Sequence, residues 1–337
     1  MEEKKPKILY AIQGTGNGHI SRALELLPHF AKLCDVSVLI SGASYNLKLP
    51  IDVDFKCNGL SFVFGKKGGI DFWRSYLKLN TKRLYKDIKN LPIKDFDFVI
   101  SDFEPIASWA AKRNKVVCIG LSNQLACLSK QIIKPKKNDS FGKFILKKYA
   151  PCNVEYSIFY EQLEENMFTP IIRKKIRNTT ISNEQHILVY LPSFSKAKIF
   201  KKLEKFNEYN FNIFNKETKI VQTIKNCTFF PIQDSLFIEK LSACNGVITN
   251  AGFGTTTESL FLNKKLLAVP MKNQYEQQCN AATLKSMGVT VLPNLKNKQM
   301  DKLSQWLKDG KSIAVDYPDN AENLVKIILN QNYFSKP

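Results

Sequence analysis

The segment GTGNGH, residues 14–19, follows the apolar run KILYAIQ and combines three glycines with a histidine. Glycines at such a turn let the backbone bend sharply and approach a ligand closely. Their spacing differs from the G-x-G-x-x-G pattern of dinucleotide sites, and the next apolar run ends on Ser41 and Gly42 rather than on an acidic residue. A nicotinamide or flavin site is therefore a minor alternative. The loop residues that we expect to face a substrate are Gly14, Gly16, Asn17 and Gly18.

His19 ends this segment and begins the amphipathic pattern HISRALELLPHFAKL. The positive end of a helix disfavours an imidazolium ion, which leaves the ring neutral and able to accept a proton. The segment VISDFEP supplies two carboxylates, Asp102 and Glu104, at the end of another predicted strand, and either could orient the ring. These residues predict a general base held by a carboxylate. The alternative is a histidine that only caps the helix.

A second glycine-containing loop, ITNAGFGTTTESL, spans residues 248–260. A predicted strand ends at Asn250, Gly252 and Gly254 free the turn, and three threonines open a helix. Backbone N–H groups and hydroxyls at a helix N-terminus form an anion site. Glu258 could complete a capping box or accept hydrogen bonds from a ribose diol, and the sequence leaves both open.

The segment VPMKNQYEQQCNAATLKSMGV places a run of amides and carboxylates, including Glu276 and Gln277, just after an apolar strand. Sugar hydroxyls both donate and accept hydrogen bonds, and amides and carboxylates in one turn can satisfy them. The run therefore predicts a sugar-binding turn. A polar helix start is the alternative.

Short apolar runs alternate with helical patterns in both halves of the chain, which implies right-handed crossovers, parallel sheets and ligand sites at the carboxyl ends of the strands. The predicted strands of the first half cover residues 7–13, 35–41, 97–101 and 116–122. The alternation restarts at HILVYLPS after a charged segment, residues 161–184, interpreted as the linker. The prediction is an α/β protein with two Rossmann-like, doubly wound domains. Their boundaries are 1–165 and 166–315, and a final helix within 316–337 packs back on the first domain.

Composition limits the class of protein. At 337 residues the chain exceeds the usual size of a single core, which favours two domains. The N-terminus carries no apolar signal-peptide core, and no run approaches the roughly 20 apolar residues of a membrane span. The eight cysteines include no C-x-x-C pair. These features predict a cytoplasmic protein with reduced thiols and no zinc site.

The net charge of +20 does not by itself indicate an anionic partner, because only six of the 50 basic residues are arginine and a lysine-rich compositional bias would produce the same charge.

One segment indicates an anionic partner more specifically. KQIIKPKKNDSFGKFILKKYAP, from Lys130 to Pro151, mixes seven lysines with large apolar residues, which suits an anionic membrane surface; a solvated helix pair is the alternative. No basic stripe with interleaved aromatics follows the cleft motifs, so we do not expect nucleic acid as a partner.

GTGNGH, TNAGFGTTTE and PMKNQYEQQCNA, in this order, resemble the motifs of inverting glycosyltransferases of the GT-B fold, of the MurG and UDP-glycosyltransferase type. The resemblance covers nearly the whole chain, and the two C-terminal motifs are its specific part. It implies an acceptor-side first domain and a nucleotide-sugar-binding second domain that face each other across a cleft. It also implies a transferase of the hexosyltransferase class.

On this resemblance, His19 matches the catalytic base and Asp102 its partner, while Glu258 matches the glutamate that binds the ribose. Glu276 and Gln277 match the pair that reads the donor sugar. The donor-binding residues that it implies are Asn250, Gly252, Gly254, Thr255, Thr256, Glu258, Glu276, Gln277, Ser193 and Phe230.

This sequence departs from the family pattern at two places. Asn250 stands where plant-type members carry a phosphate-binding histidine, so cationic help to the leaving group is not expected there. LPSFS, with Ser193 and Ser195, replaces the glycine-rich loop that other members place after the first strand of the second domain.

The reaction implied is inverting, metal-independent transfer of a sugar from a nucleoside diphosphate, by preference UDP, to a hydroxyl of a cell-envelope or lipid-linked glycan. No cofactor is expected, and the location implied is the cytoplasm, at the inner face of the membrane. Two D-x-D matches, Asp52/Asp54 and Asp95/Asp97, lie beside strand patterns and are interpreted as chance. The alternatives are a nucleotide-sugar 2-epimerase of the same fold and a non-catalytic protein that binds a nucleotide sugar or an anionic surface.

Overall fold

The computed structural model describes residues 5–42, 49–58, 81–135 and 139–330, which form two seven-stranded sheets. The first sheet is parallel throughout, with the spatial order β3-β2-β1-β4-β5-β6-β7. Its strands are β1 (Lys7–Gln13), β2 (Asp35–Ser41), β3 (Phe55–Cys57), β4 (Phe98–Asp102), β5 (Val117–Ser122), β6 (Val154–Ile158) and β7 (Met167–Phe168).

The second sheet has the spatial order β10-β11-β9-β8-β12-β13-β14 and is parallel except for β10, which pairs with β11 antiparallel. Its strands are β8 (His186–Tyr190), β9 (Asn210–Phe214), β10 (Gln222–Ile224), β11 (Cys227–Phe230), β12 (Gly246–Thr249), β13 (Lys265–Ala268) and β14 (Thr290–Val291).

Helices connect the strands of both sheets. The described helices of the first part are α1 (Asn17–Leu33), α2 (Thr81–Asn90), α3 (Pro105–Asn114), α4 (Asn123–Ala126) and α5 (Ser140–Tyr149). Those that follow are α6 (Lys174–Arg177), α7 (Lys196–Leu203), α8 (Asp234–Ala243), α9 (Phe253–Phe261), α10 (Tyr275–Ser286), α11 (Met300–Asp309) and α12 (Ala321–Asn330).

The central strands are apolar on both faces because helices cover both sides of a parallel sheet. In β1 every residue after Lys7 is buried, and β12 is buried along its whole length. Helix α1 buries an apolar stripe at helical spacing, including Ile20, Ala23 and Leu27. Burial of these stripes against the sheets holds the two layers together.

Each sheet has a point where its strand order reverses, and open α/β sheets leave a crevice for ligands there. In the first sheet, β1 lies between β2 and β4, and Ile12 pairs with Asp102, so the loop after β1 and Asp102 share one edge. In the second sheet, β8 lies between β9 and β12, and Tyr190 pairs with Thr249. Both glycine-containing loops therefore begin at a reversal point.

The chain crosses between the two sheets twice. The first crossing contains α6, and the second leads from α11 into α12, which packs on α1 of the first domain. Arg177 of α6 joins the crossings, because its Nη2 donates to the carbonyl oxygens of Tyr317 and Pro318, at 2.9 and 2.8 Å. The buried residues of α12 are Ala321, Leu324, Val325 and Ile328.

The predicted strands at 7–13 and 35–41 coincide with β1 and β2, and those at 97–101 and 116–122 begin one residue early. The interval 161–184, interpreted as a linker, also contains β7, so the first sheet reaches Phe168, past the boundary predicted at 165. A strand of two residues has no periodicity that a sequence can display. Residues 331–337 and 136–138, which belong to the predicted C-terminal and basic segments, lie outside the described residues.

Gly14 sits where β1 and β2 approach each other, and its N–H donates to the carbonyl oxygen of Ser41 at 2.7 Å. A Cβ at Gly14 would lie 2.8 Å from Cγ2 of Ile40 and 3.0 Å from two backbone oxygens, whereas one at Gly18 would meet nothing within 4 Å. We expect Gly14→Ala to lower the free energy of unfolding by about 1–3 kcal/mol through overpacking. Gly18→Ala, the matched control in the same loop, should be neutral or stabilising by up to about 1 kcal/mol. Urea unfolding of the two variants measures the difference, and equal stabilities would contradict this account.

Candidate active site

His19 and Asp102 meet at the reversal point of the first sheet. The His19 Nδ1 atom lies 2.7 Å from Oδ1 of Asp102, and the His19 side chain is 13% exposed while Asp102 is fully buried. Burial alone would raise the pKa of Asp102, but the positive charge of Arg22 and the contact with His19 outweigh it and hold that pKa below its ordinary value. An ionised carboxylate only accepts hydrogen bonds, so Nδ1 carries the proton and Nε2 is left as the acceptor.

Arg22, one turn after His19 on α1, also binds Asp102. Its Nε donates to Oδ2 at 2.8 Å and its Nη2 donates to Oδ1 at 2.5 Å, in a two-pronged ion pair. The side chain of Arg22 is only 6% exposed. The pair therefore gives the buried carboxylate a full counter-charge in addition to the bond with His19.

Glu104, the other candidate partner of His19, has a different role. Its carboxylate accepts from the backbone N–H groups of Ile106 and Ala107 at 2.8 and 2.7 Å, and so caps the N-terminus of α3. Burial raises the pKa of Glu104 to about 7. Of the two carboxylates in VISDFEP, the structure brings Asp102 to His19 and assigns Glu104 to the helix.

The first domain reaches across the cleft to the predicted sugar-binding turn of the second. Nδ2 of Asn123 donates to Oε1 of Glu276 at 2.8 Å, and Nε2 of Gln124 donates to Oε2 at 3.1 Å. The same Gln124 nitrogen is 3.4 Å from Nε2 of His19, which fits an acceptor at that ring position. Asn123, Gln124 and Glu276 thus connect the predicted base with the predicted sugar-reading residue.

The second glycine loop forms the N-terminus of α9. Gly252 is the N-cap residue, and it has no side chain that could cap the amides of the first turn. Gly254 is exposed and Thr255 is half-buried, whereas the hydroxyl of Thr256 turns inward to the carbonyl oxygens of Gly252 and Phe253. The exposed part of the loop is therefore mainly backbone.

Glu258 does not form a capping box, because both its oxygens bind Arg173. Nε and Nη2 of Arg173 donate to Oε1 and Oε2 at 2.5 and 2.9 Å, and Nη1 donates to Asp234 at 2.5 Å. The two acidic partners, Glu258 first, raise the pKa of Arg173 against the effect of its burial. A carboxylate can accept about four hydrogen bonds, so Glu258 retains acceptor sites for a diol while it is paired.

Further polar residues of the second domain form hydrogen bonds with backbone groups around this loop. Asn250 accepts from the N–H of Ser193 at 3.4 Å and donates to the carbonyl oxygen of Val269 at 2.7 Å, which ties three segments together. Oε1 of Gln277 accepts from the N–H of Met271 at 2.9 Å. Asn280 donates to the carbonyl oxygen of Ala251 at 3.0 Å.

Phe230 lies at the end of β11 and is 8% exposed. Its ring stacks on that of Phe214, with centroids 5.3 Å apart, and its neighbour Phe229 is completely buried. Little of either ring is therefore available to a nucleobase. Pro231 and Ile232, which follow, are half-buried, and the next exposed side chain is that of Gln233, the N-cap of α8.

The start of α9 is held by the first domain. The hydroxyl of Tyr160 lies 2.7 Å from Oγ1 of Thr256, and the rings of Phe159 and Tyr160 pack on Phe253 with centroids 6.3 and 5.1 Å away. Phe159 is fully buried and Tyr160 is almost so. The second glycine loop is therefore positioned by contacts from both domains.

The D-x-D matches have structural partners. Oδ2 of Asp54 accepts from the N–H of Val38, and Oδ2 of Asp97 accepts from the N–H of Lys7, each at 2.7 Å. Among the described residues, no group of three or more His, Cys, Asp or Glu side chains is arranged to hold a metal ion. In the first loop Asn17 and Gly18 open α1, and Gly16 precedes them as its N-cap.

The basic segment forms a mixed apolar and cationic surface. Ile133, Phe141 and Phe144 are 50%, 57% and 59% exposed, and Lys147 and Lys148 of α5 are exposed beside them. Helix α5 also touches the sugar-binding turn, since Nζ of Lys143 lies 5.9 Å from the ring centroid of Tyr275. No helix within the described part of the chain is long and apolar enough to cross a membrane.

A family model described as glycosyl transferase family 1 matches residues 6–309, which is most of the chain. The chain belongs to this family. No curated protein sequence matches the chain. The family assignment and the two reversal-point loops agree with the resemblance found in the sequence motifs.

Solved structures similar to this chain include GT-B glycosyltransferases and a nucleotide-sugar epimerase. UGT2 of Phytolacca americana, solved with UDP-2-fluoro-glucose and pterostilbene, is 13% identical with a TM-score of 0.58, over 99% of this chain and 97% of that one. MurG of Acinetobacter baumannii is 17% identical with a TM-score of 0.56, over 97% and 100%. A UDP-N-acetylglucosamine 2-epimerase is 12% identical with a TM-score of 0.56, over 99% and 98%. The prediction of an α/β protein with two Rossmann-like domains in the GT-B arrangement is confirmed.

Four site residues were absent from the sequence prediction: Arg22, Asn123, Gln124 and Arg173. Arg22 falls on a regular amphipathic helix, where an arginine normally extends to solvent. Arg173 lies in the charged segment interpreted as a linker. Only Asn123 and Gln124 carried a usable signal, because two amides follow directly on the carboxyl end of a predicted strand.

The Arg173 pairing generates a stability prediction. Arg173→Met leaves Glu258 charged and buried without a partner, and should lower the free energy of unfolding by about 3–5 kcal/mol. The double variant Arg173→Met/Glu258→Leu removes both charges and should recover most of that loss. Urea unfolding measures both.

The exposed pair Glu322–Lys326 offers a matched control, since both side chains are more than half exposed. Lys326→Met should leave the unfolding free energy almost unchanged. A loss for Arg173→Met as small as that of the control would contradict a stabilising role for the buried pair.

Proposed function

We propose that this protein is an inverting, metal-independent glycosyltransferase. It transfers the hexose of a UDP-hexose to an acceptor hydroxyl and uses no cofactor. The observation that carries the proposal is the His19–Asp102 pair, which lies at the edge of the cleft with Nε2 directed toward Glu276 through Gln124. A base oriented by a carboxylate is suited to deprotonating a hydroxyl. Membership of glycosyl transferase family 1 supports the reaction class.

The chemical step follows from this geometry. The acceptor hydroxyl replaces the Gln124 amide as the donor to Nε2 of His19. Nε2 takes the proton as the oxygen forms a bond to the anomeric carbon, and the bond from that carbon to the diphosphate oxygen breaks with inversion. The electron pair leaves with UDP, and Asp102 stabilises the imidazolium that has formed.

The diphosphate is assigned to the N-terminus of α9. The uncapped amides after Gly252, together with the hydroxyl of Thr255, can donate several hydrogen bonds to the leaving group. Each favourable charge at an exposed helix end contributes about 0.3–1 kcal/mol, and more in a dry cleft. Asn250 is neutral and already bonded on both sides, so it supplies no positive charge.

Glu258 and Glu276 are assigned to the ribose and to the donor sugar. The 2-epimerase alternative is weaker, because that chemistry needs several carboxylates free to act around one sugar. Here Asp102 and Glu258 are each fixed by an arginine. A binding protein without activity remains distinguishable by experiment.

The test of the transferase proposal uses His19→Ala with thermal shift and a UDP-release assay. We expect UDP at 100 times its Kd to add about 2.7 kcal/mol of stability to wild type and variant alike, with or without magnesium, and NAD to add none. Release of UDP from a UDP-sugar with a hydroxyl acceptor should fall by about 100–10,000-fold in His19→Ala.

Gly252→Ala is the complementary variant, because a Cβ there would meet only Nε2 of Gln277, at 3.9 Å. The variant should fold like wild type and bind UDP more weakly, since its methyl group obstructs the diphosphate. Stabilisation by NAD instead of UDP would refute the proposal. Unaltered turnover in His19→Ala would refute the assigned base.

The partner surface that this proposal includes is an anionic membrane surface at the cytoplasmic face, presenting a lipid-linked or cell-envelope glycan. The exposed phenylalanines and lysines of α5 match the apolar boundary and the negative headgroups of such a surface. This surface adjoins Tyr275, next to Glu276, so an acceptor held there would be near the cleft. All eight cysteines are free thiols, which suits a reducing compartment.

Vesicle sedimentation tests this surface. Lys147→Gln and Lys148→Gln should each weaken binding to phosphatidylglycerol-rich vesicles by about fivefold, because each lysine near the surface contributes about 1 kcal/mol. Phe141→Ser/Phe144→Ser should reduce it further, and none of the proteins should bind pure phosphatidylcholine tightly.

The second domain provides matched controls at Lys216, Lys219 and Ile220, which are exposed, with Ile220 82% accessible. Substitution of these residues by Gln, Gln and Ser should leave vesicle binding unchanged. An equal loss from both sets would show that binding depends on total charge and would contradict a specific surface on α5.

A further inference from the structure

Arg22 is a buried cation on the helix that carries the proposed base. Taking a charged guanidinium out of water is costly unless it is paired and hydrogen-bonded. Arg22 is 6% exposed, and a leucine or methionine would fit the amphipathic pattern of α1 at lower cost. The position therefore calls for an explanation beyond packing.

One guanidinium makes contacts in three directions. Two of its N–H groups bind the two oxygens of Asp102. Nη1 donates to Oδ1 of Asn123 at 3.4 Å, and Nη2 lies 3.2 Å from Nδ1 of His19. The last contact joins two donors, because Nδ1 carries a proton directed at Asp102, so it is an electrostatic contact and not a hydrogen bond.

Arg22 fixes the carboxylate that orients His19. Its Nε and Nη2 bind the two oxygens of Asp102, and Oδ1 of the same carboxylate lies 2.7 Å from Nδ1 of His19. A carboxylate held at both oxygens cannot rotate away from the imidazole, so Nδ1 remains the donor to Asp102 and Nε2 remains the acceptor.

The fork of Arg22 also acts on the donor side. Because Nη1 binds the oxygen of the Asn123 amide, the NH2 group of that amide must point the other way, toward Glu276. The distance from Asn123 to Glu276 is 2.8 Å across the cleft. A lysine could carry the charge of Arg22, but a single ammonium group cannot hold Asp102 bidentately and orient Asn123 as well.

We infer that Arg22 is a positioning residue for the transfer reaction: it holds Asp102 against Nδ1 of His19, which fixes the tautomer of the ring, and it orients Asn123 toward the donor-sugar site. This inference rests on the proposed function for its kinetic consequences. Its structural consequences concern the tautomer of one histidine and can be measured without turnover.

The experiment compares Arg22→Gln and Arg22→Lys with wild type by steady-state kinetics and by nitrogen NMR of labelled histidine. The chain has only three histidines, which simplifies the spectra. In Arg22→Gln, kcat should fall by about tenfold or more, because Asp102 loses its two-pronged partner and no longer holds the imidazole in one orientation.

In Arg22→Lys, kcat should fall less than in Arg22→Gln, because the ammonium group keeps one charged contact with Asp102. The KM for the UDP-sugar should rise in both variants by about tenfold, because the Asn123 amide is no longer fixed. The NMR spectra should show His19 protonated on Nδ1 in wild type and a mixture of tautomers in Arg22→Gln.

A purely structural Arg22 would lower stability in both variants and leave the KM for the UDP-sugar and the His19 tautomer unchanged, which would overturn the inference. If Arg22→Gln does not fold, Arg22→Lys decides: a KM for the UDP-sugar equal to that of wild type overturns the role of the guanidinium fork. If wild type transfers no sugar, the proposed function fails, and the His19 tautomer in the two variants still supports or refutes the role of Arg22.

Discussion

The first domain is organised around a carboxylate that has no access to water. Asp102 is fully buried and ionised, so its charge must be balanced inside the protein. Arg22 supplies the counter-charge and His19 donates a hydrogen bond, and both come from the first turns of α1, which fixes that helix against the end of β4. The glycine loop before α1 has to fit the space that remains, and Gly14 has no room for a Cβ.

The second domain also contains a buried arginine–carboxylate pair beside a glycine loop, but there the carboxylate, and not the arginine, is on the helix. Its glycine loop also follows a reversal-point strand, and the acid, Glu258, is on the helix while the arginine comes from the segment that joins the domains. The helix start is supported from outside by Tyr160 and Phe159. The start of α9 and the turn that carries Glu276 both receive contacts from the first domain.

Sequence reasoning located strongly periodic elements and residues at strand ends. The apolar runs predicted the boundaries of β1 and β2. The positions of the reversal-point loops and the meeting of His19 with Asp102 follow from the rule that parallel strands present their carboxyl ends at one edge. The short edge strands β3, β7 and β10 did not follow, because their pairing depends on neighbours distant in sequence. Arg22 and Arg173 were missed for a related reason: an arginine becomes a buried partner only when tertiary packing places an acid beside it.

The Arg177 contact has a consequence for how the two halves of the molecule can move. The chain passes between the domains along two segments, and Arg177 ties the first to the second at the carbonyl oxygens of Tyr317 and Pro318. Because the two connecting segments are joined at this point, a displacement of one of them would be transmitted to the other.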